Sequence, residues 1–225
     1  MMLEPVDLTL PITEGMLTFA RPWHTRVQVE QLAQIAAQGR ETRRIVLGTH
    51  TGTHVDAPRH FIENGPGIDA LALDALAGAA CLLDFTSLPP LSAITAPMLD
   101  TALNGVAPAR IVLRFGWDKR WGRGEYYLGH PYLTEDAAEW LVRRKVRLLG
   151  MDTPMPDNPE PPQGSPDSPI HKILLNAGVI LLEYLCNLGK LRSREITLIA
   201  LPLNIPGADG APARCIAYDG LVSFA

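Results

Sequence analysis

The sequence predicts an α/β fold with a mixed sheet core and helices around it. In the middle of the chain, short apolar runs typical of buried strands alternate with helix patterns, whereas the first part is one strand pattern after another. The chain has 225 residues, of which 47% are hydrophobic and 20% charged, and this is enough for one substantial core. We therefore expect residues 1–225 to form a single domain.

The N-terminal part contains three strand candidates, at residues 6–10, 26–32 and 42–47. Residues 15–23 are predicted to be a loop whose tip is aromatic and basic, and residues 33–41 are predicted to be a connection. The third strand leads directly into the stretch of the sequence that is richest in reactive side chains.

The central part alternates helix and strand patterns. Residues 97–104 carry Pro97 in the first turn and are followed by Gly105, and residues 134–144 begin at Thr134, a residue of N-cap type. We expect both segments to be helices. A shorter helix is predicted at 71–77, and strands are predicted at 79–85, 110–115 and 146–150.

Two long loops interrupt the pattern in the second half. Residues 116–133 are rich in Trp and Tyr, among them Trp117 and Trp121, which are candidate walls of a flat pocket. Residues 152–168 are dense in proline. A loop of this length inside a compact domain is more often functional than accidental. Short strands at 179–182, 197–201 and 214–218 complete the predicted sheet.

The stretch at residues 50–60 reads His-Thr-Gly-Thr-His-Val-Asp-Ala-Pro-Arg-His. Its candidate ligand residues, all at even offsets, are His50, His54, Asp56 and His60. Side chains at even offsets share one face of an extended chain, but four residues of straight strand span roughly 13 Å, too far for one metal ion. The chain must therefore bend between His50 and His54, and Gly52 provides that freedom because it lacks a Cβ atom.

Imidazole and carboxylate ligands together suit zinc, manganese or iron. The alternative is an ordinary polar loop with accidental histidines. The whole chain has only six histidines, and three of them lie within residues 50–60. The clustering favours a metal site.

A second group of candidate ligands lies near the end of the 152–168 loop. Ser168 and Pro169 have the residue types of a helix start, so His171 is predicted in the first helical turn. Glu183 follows the apolar strand at 179–182, where a carboxylate is costly unless it is paired or metal-bound. Helix and strand can bring both residues to one point. Spacing alone, however, favours a purely structural role, in which Glu183 pairs with a Lys or Arg and His171 lies on the surface.

Phe19 and Trp23, in the first loop, are candidate substrate-binding residues. They either pack on the surface of their own loop or form a lid that adds aromatic area to a ligand site. His24 and His130 are interpreted as loop residues.

Composition excludes several classes of function. The net charge of −4 and the lack of a Lys/Arg run argue against nucleic-acid binding, and no apolar stretch reaches the eighteen or so residues of a membrane span. The first ten residues do not have the pattern of a secretory signal. Three widely spaced cysteines, Cys81, Cys186 and Cys215, fit reduced, buried thiols in a cytoplasmic protein.

The motif at residues 50–60 resembles the signature of the cyclase-type metal-dependent hydrolases, which include bacterial kynurenine formamidases and isatin hydrolases. Residues 171–178 together with Glu183 are similar to the second ligand segment of that family, and residues 201–203 and 210–214 are similar to its C-terminal part. The resemblance covers nearly the whole chain.

The resemblance implies a swivelling β/β/α fold and two metal ions per subunit, zinc or manganese. It implies that His50, His54 and Asp56 bind one ion, and that Asp56, His171 and Glu183 bind the second. His60 takes the place of the proton donor and acceptor, with a further metal ligand as the competing role. The family resemblance also implies a homodimer or homotetramer that acts on a small-molecule substrate.

The implied activity is hydrolysis of an amide bond, most like that of an arylformamidase, which converts N-formylkynurenine to kynurenine and formate. Formamidases carry a Trp-Pro-Gly-Asp-like stretch near the N-terminus, whereas residues 18–23 here read Thr-Phe-Ala-Arg-Pro-Trp. An isatin hydrolase-like or lactone hydrolase activity of the same family is therefore the alternative. A non-enzymatic protein whose metal only stabilises its loops is an alternative of another class.

Overall fold

The computed structural model describes residues 4–222. The strands in this range are β1 (Val6–Asp7), β2 (Gln28–Ala33), β3 (Thr42–Val46), β4 (His54–Asp56), β5 (Ala77–Asp84), β6 (Ala93–Ile94), β7 (Arg110–Arg114), β8 (Tyr132–Leu133), β9 (Leu148–Met151), β10 (Ile180–Glu183), β11 (Glu195–Pro202) and β12 (Gly210–Asp219). The helices are α1 (Ile35–Gln38), α2 (Leu73–Leu76), α3 (Ala96–Leu103), α4 (Glu135–Arg143) and α5 (Pro169–Asn176). Short 3₁₀ turns lie at Pro58–His60, Ile68–Ala70, Trp117–Arg120, Gly124–Tyr127 and Leu188–Lys190.

An eight-stranded mixed sheet organises the chain, in the order β1-β12-β11-β5-β7-β9-β10-β4. Strands β5, β7, β9 and β10 are parallel neighbours, whereas β11, β12 and β4 pair antiparallel. β12 also pairs with β4, so the sheet closes on itself like a barrel. The predicted α/β fold with a mixed sheet core, of the swivelling β/β/α type, is confirmed.

Apolar side chains are buried on both faces of this sheet. One cluster, which includes Val112, Leu182 and Leu198, draws on strands all around the ring and fills the space that the sheet encloses. The second cluster joins the other face of the central strands to α3, α4 and α5. Parallel strands that are covered on both faces explain the nearly continuous apolar runs in the sequence.

β2 and β3 form a separate antiparallel hairpin. Most of its side chains are exposed: Leu32 and Ile45 are each 56% exposed, and Ile35 of the connecting helix α1 is 69% exposed. A two-stranded hairpin is only marginally stable in water on its own. The hairpin therefore presents an unusual amount of apolar surface.

The predicted elements are found with boundaries shifted by a few residues, and three details were wrong. The connection at 33–41 contains α1, and the loop at 116–133 contains two 3₁₀ turns and β8, which pairs with β6. Two-residue strands are too short to give a periodic pattern. Thr134 lies at the N-cap position of α4, but its hydroxyl donates to the carbonyl of Ile94 at 3.0 Å and does not cap the helix.

Of the predictions on cysteines, membrane spans and domain number, the first is tested by the described residues. All three cysteines are free and buried, as predicted. No helix within residues 4–222 is long and apolar enough to cross a membrane. The assignment of residues 1–225 to one domain stays a prediction.

Candidate metal centre

The bend between His50 and His54 is confirmed. Gly52 has a φ of +60°, in the left-handed region that favours glycine, and the chain then enters β4 and the 3₁₀ turn that ends at His60. Within β4, Val55 packs into the enclosed core, while His54 and Asp56 lie on the opposite face. Because side chains alternate between the two faces of a strand, the core residue and the two candidate ligands lie on opposite faces of β4.

Two further elements bring the distant residues to this face. β10 runs antiparallel to β4 with Glu183 opposite His54, so the two side chains are neighbours. Helix α5 packs near the 3₁₀ turn of the ligand loop and places His171 in its first turn, as predicted. The alternative in which His171 lies on the surface and Glu183 pairs with a Lys or Arg is wrong. Both residues are buried, and Glu183 faces His171.

Two groups of potential ligands share one carboxylate. The first is His50, His54 and Asp56, and the second is Asp56, His171 and Glu183. Within each group the candidate ligand atoms lie within 4.8 Å of one another. The structure therefore brings together all five residues for which the sequence predicts metal binding.

Each histidine of these groups has one ring nitrogen next to an acceptor outside the cluster. The Nδ1 of His54 lies 2.8 Å from the carbonyl oxygen of Gly52, and the Nε2 of His50 lies 2.7 Å from Oδ2 of Asp209. The Nδ1 of His171 contacts Oδ2 of Asp157. An N–H at each of these positions donates to its acceptor, which fixes the tautomer.

The other nitrogen of each ring is then a lone pair that faces a carboxylate. His50 Nδ1 lies 2.8 Å and His54 Nε2 3.1 Å from Oδ1 of Asp56, and His171 Nε2 lies 3.2 Å from Oε1 of Glu183. Neither atom of such a pair carries a proton to share unless the ring takes up a second proton. A bound cation resolves the arrangement because lone pairs and carboxylate oxygens then all serve as ligands.

Three buried atoms in this cluster have no hydrogen-bond partner within the described part of the chain: His54 Nε2, Asp56 Oδ2 and Glu183 Oε1. Buried polar atoms are rarely left unpaired, since the desolvation cost is about 1–3 kcal/mol each. All three belong to the two ligand groups. This nitrogen and oxygen donor set, without sulfur, fits zinc or manganese.

The electrostatics of the cluster also favour a cation. Burial and the charge of Asp56 raise the pKa of Glu183, which shows that a second anion is costly here. Burial alone would lower the pKa of His50, but Asp56 and Asp209 raise it to about 10. Without a bound cation, a second proton on His50 would supply part of the positive charge that stabilises the carboxylates of Asp56 and Asp209.

His60 lies beside these groups, at their exposed edge. Its Nδ1 is 3.2 Å from Oδ2 of Asp209, and its ring lies against that of His50, with centroids 3.9 Å apart and an interplanar angle of 33°. The side chain is 24% exposed. Potential ligand atoms of His50, His60 and Asp209 also lie within 4.8 Å of one another, so both roles expected for His60, proton shuttle and metal ligand, stay predictions.

Asp157 and Asp209 were missed by the sequence reasoning. Asp157 lies in the proline-rich loop at 152–168, and Asp209 directly precedes the segment 210–214, which resembles the C-terminal part of the family. Asp157 accepts the N–H of Ile170 at 2.7 Å and so caps α5, whereas Ser168, predicted as the cap, makes no capping bond. Only the folded structure shows which carboxylates reach the histidines.

A cleft of about 960 Å³ opens onto the centre. Phe19 and Trp23 line it, and Phe19 packs against Tyr127, with ring centroids 5.3 Å apart. Five of the six prolines of the 152–168 loop and the half-buried His24 form further parts of the wall. Trp117 and Trp121, which the sequence offered as additional walls, do not line the cleft; they pack with Tyr126.

Asp157→Asn is expected to weaken zinc or manganese binding by about 10- to 100-fold, because a neutral amide holds the His171 ring less firmly than a carboxylate does. Calorimetric titration of the metal-free protein measures the change. Asp167→Asn is the matched control, since Asp167 lines the same cleft, but its hydrogen bonds within residues 4–222 are from Ser168 to its carboxylate and from Lys172 to its carbonyl oxygen. Equal metal affinities of the two variants would contradict an orienting role for Asp157.

Comparison with known proteins agrees with this geometry. The Cyclase family model matches residues 6–158. The kynurenine formamidase of Salinibacter ruber is 34% identical over 177 residues, 77% of each chain, and that of Bacillus cytotoxicus is 28% identical over 215 residues, 95% of this chain and 96% of its own. Isatin hydrolase A from Ralstonia solanacearum superimposes with a TM-score of 0.87 at 26% identity, covering 96% of this chain and 92% of its own.

Proposed function

Since the chain belongs to the cyclase family and is a hydrolase of amide C–N bonds, we propose that its substrate is an aryl formamide, most like N-formylkynurenine. One observation carries the proposal. Two ligand groups that share Asp56, with unpaired buried donor atoms, lie at the floor of a cleft with aromatic walls. A planar aromatic amide buries well against such walls.

In this proposal His50, His54 and Asp56 hold one divalent cation, and Asp56, His171 and Glu183 hold a second, zinc or manganese in each case. When bound, such cations supply Lewis acidity, which polarises an amide carbonyl and lowers the pKa of a water ligand toward about 7.

The protein's own residues position the substrate and move the protons. Phe19 and Trp23 flank the aromatic ring at the cleft wall. His60, whose Nδ1–H donates to Asp209, has its Nε2 available to take a proton from the attacking water and return it to the departing amine. A C–O bond forms and the C–N bond breaks, giving an amine and formate.

The deciding experiment compares kcat/KM on N-formylkynurenine, isatin and simple lactones, before and after chelation and re-addition of zinc or manganese. We expect N-formylkynurenine to be the best substrate by at least about tenfold, equivalent to roughly 1.4 kcal/mol of transition-state preference. A smaller margin contradicts the formamidase assignment. Activity that survives removal of all bound metal contradicts the metal-dependent mechanism.

An isatin hydrolase-like or lactone hydrolase activity is the second candidate. It is favoured by the TM-score of 0.87 to isatin hydrolase A. In the same comparison of substrates, it predicts that a cyclic amide or ester is hydrolysed faster than the formamide. A metal site that only stabilises loops is disfavoured, because the cleft gives a small molecule access to the centre.

The proposal extends to assembly and location. A homodimer or homotetramer would cover the exposed apolar side chains of the β2–β3 hairpin, among them Leu32, Ile35 and Ile45. Sedimentation of the purified protein as a monomer at micromolar concentration would contradict this assembly. A cytoplasmic location accords with the three free, buried thiols.

A further inference from the structure

We propose that Arg21 binds a carboxylate of the substrate, so that the enzyme selects aryl amides that carry a carboxylate over those that lack one. This inference rests on the proposed function, because it concerns the part of the substrate that lies away from the metal centre.

Arg21 is the single Lys or Arg among the described residues that line the cleft. The other fixed charges in the wall are carboxylates. Four of them, Asp56, Asp157, Glu183 and Asp209, contact the histidines of the centre. An anionic substituent that extends from the centre into the cleft therefore meets one complementary side chain.

The guanidinium group of Arg21 is free to bind an anion. Among residues 4–222 no carboxylate lies within ion-pair distance of it, in contrast to Arg43 and Arg44, which pair with Glu41 and Glu30. A substrate carboxylate therefore has no internal ion pair to displace. Two parallel N–H groups of a guanidinium match the two oxygens of a carboxylate.

The position of Arg21 is set by the cleft wall. Its Cζ lies 5.1 Å from the centroid of the Phe19 ring, within the range of a cation–π contact. Phe19 in turn contacts His24, with centroids 5.8 Å apart, and the ring of His24 lies 6.4 Å from that of His50. The cation and the aromatic wall therefore form one unit next to the metal centre, suited to a ligand that has both a planar ring and a carboxylate.

The test uses N-formylkynurenine and its carboxamide, which differ only in the carboxylate. We expect wild-type enzyme to prefer the acid by at least tenfold in kcat/KM, and Arg21→Gln to reduce this preference to about twofold or less, mainly through KM. Arg21→Lys should retain part of the preference, since it keeps the charge without the planar fork. Higher ionic strength should lower the wild-type preference.

Arg26→Gln is the matched control, because it removes the same charge from the same segment but does not line the cleft. It should keep the wild-type preference. A wild-type preference near one, or an unchanged preference in Arg21→Gln, overturns the inference while the hydrolase assignment stands.

A binding measurement separates this inference from the proposed function. Calorimetry with kynurenine should show at least tenfold weaker binding to Arg21→Gln than to Arg26→Gln, whether or not the formamide proves to be the best substrate. Equal affinities overturn the role of Arg21. Failure to hydrolyse either formamide, with the difference in binding intact, overturns the proposed function alone.

Discussion

Asp56→Ala is expected to abolish binding of both metal ions and to lower kcat by about 10³-fold or more. Asp56 is the one residue common to both ligand groups, and its side chain is fully buried between them. Its loss removes an anionic ligand from each ion, and the Lewis acidity of the centre contributes several kcal/mol to the reaction.

Metal content by mass spectrometry and thermal unfolding with and without added zinc measure the effect. The wild-type protein should unfold at a higher temperature when metal is added, because a ligand that binds only the folded state stabilises it. Asp56→Ala should lose that increase. Asp84→Ala, at the end of β5 and exposed, should behave like the wild type. Binding of two metal equivalents by Asp56→Ala would contradict the shared-carboxylate arrangement.

His60→Ala is expected to keep its metal and lose about 10²- to 10⁴-fold in kcat, the usual contribution of a positioned general acid and base. The imidazole is oriented by Asp209 at 3.2 Å and lies at the exposed edge of the centre, where a substrate can reach its free nitrogen. Removing the ring leaves both ligand groups that contain Asp56 intact.

Metal analysis of the same preparation distinguishes the two roles of His60. Retained metal with lost turnover supports the proton shuttle, whereas lost metal reassigns His60 as a ligand in the group with His50 and Asp209. His24→Ala is the matched control, since it removes another cleft imidazole whose ring also neighbours His50. A loss in His24→Ala as large as in His60→Ala would contradict a specific role for His60.

Local patterns in the sequence predicted the parts of the site that local physics determines. The bend at Gly52, the face shared by His54 and Asp56, and the start of α5 before His171 all follow from periodicity, turn chemistry and helix-start residues. The approach of His171 and Glu183 to Asp56 did not follow from spacing, since it depends on how β10 and α5 pack against β4.

The roles of Asp157 and Asp209 could not be predicted from the sequence for the same reason. Asp209 is 159 positions from His50, and Asp157 lies in a loop with no repeating pattern. Trp117 illustrates the opposite error: an aromatic residue in a long loop was offered as a pocket wall, whereas it is 4% exposed and belongs to the core. Composition identifies aromatic side chains, but only packing decides which ones face a ligand.

The closure of the sheet by β12 has a consequence for biosynthesis. β4 pairs with β10 on one side and with β12 on the other, and Asp209, which holds His50, directly precedes β12. A nascent chain therefore carries the histidine motif long before the ribosome has made the strand and the carboxylate that complete its surroundings. Pairing between such distant segments also forms late in folding. A chain that ends before residue 209 is therefore expected to lack both the carboxylate that contacts His50 and the strand that pairs with β4, although it contains all five predicted metal ligands.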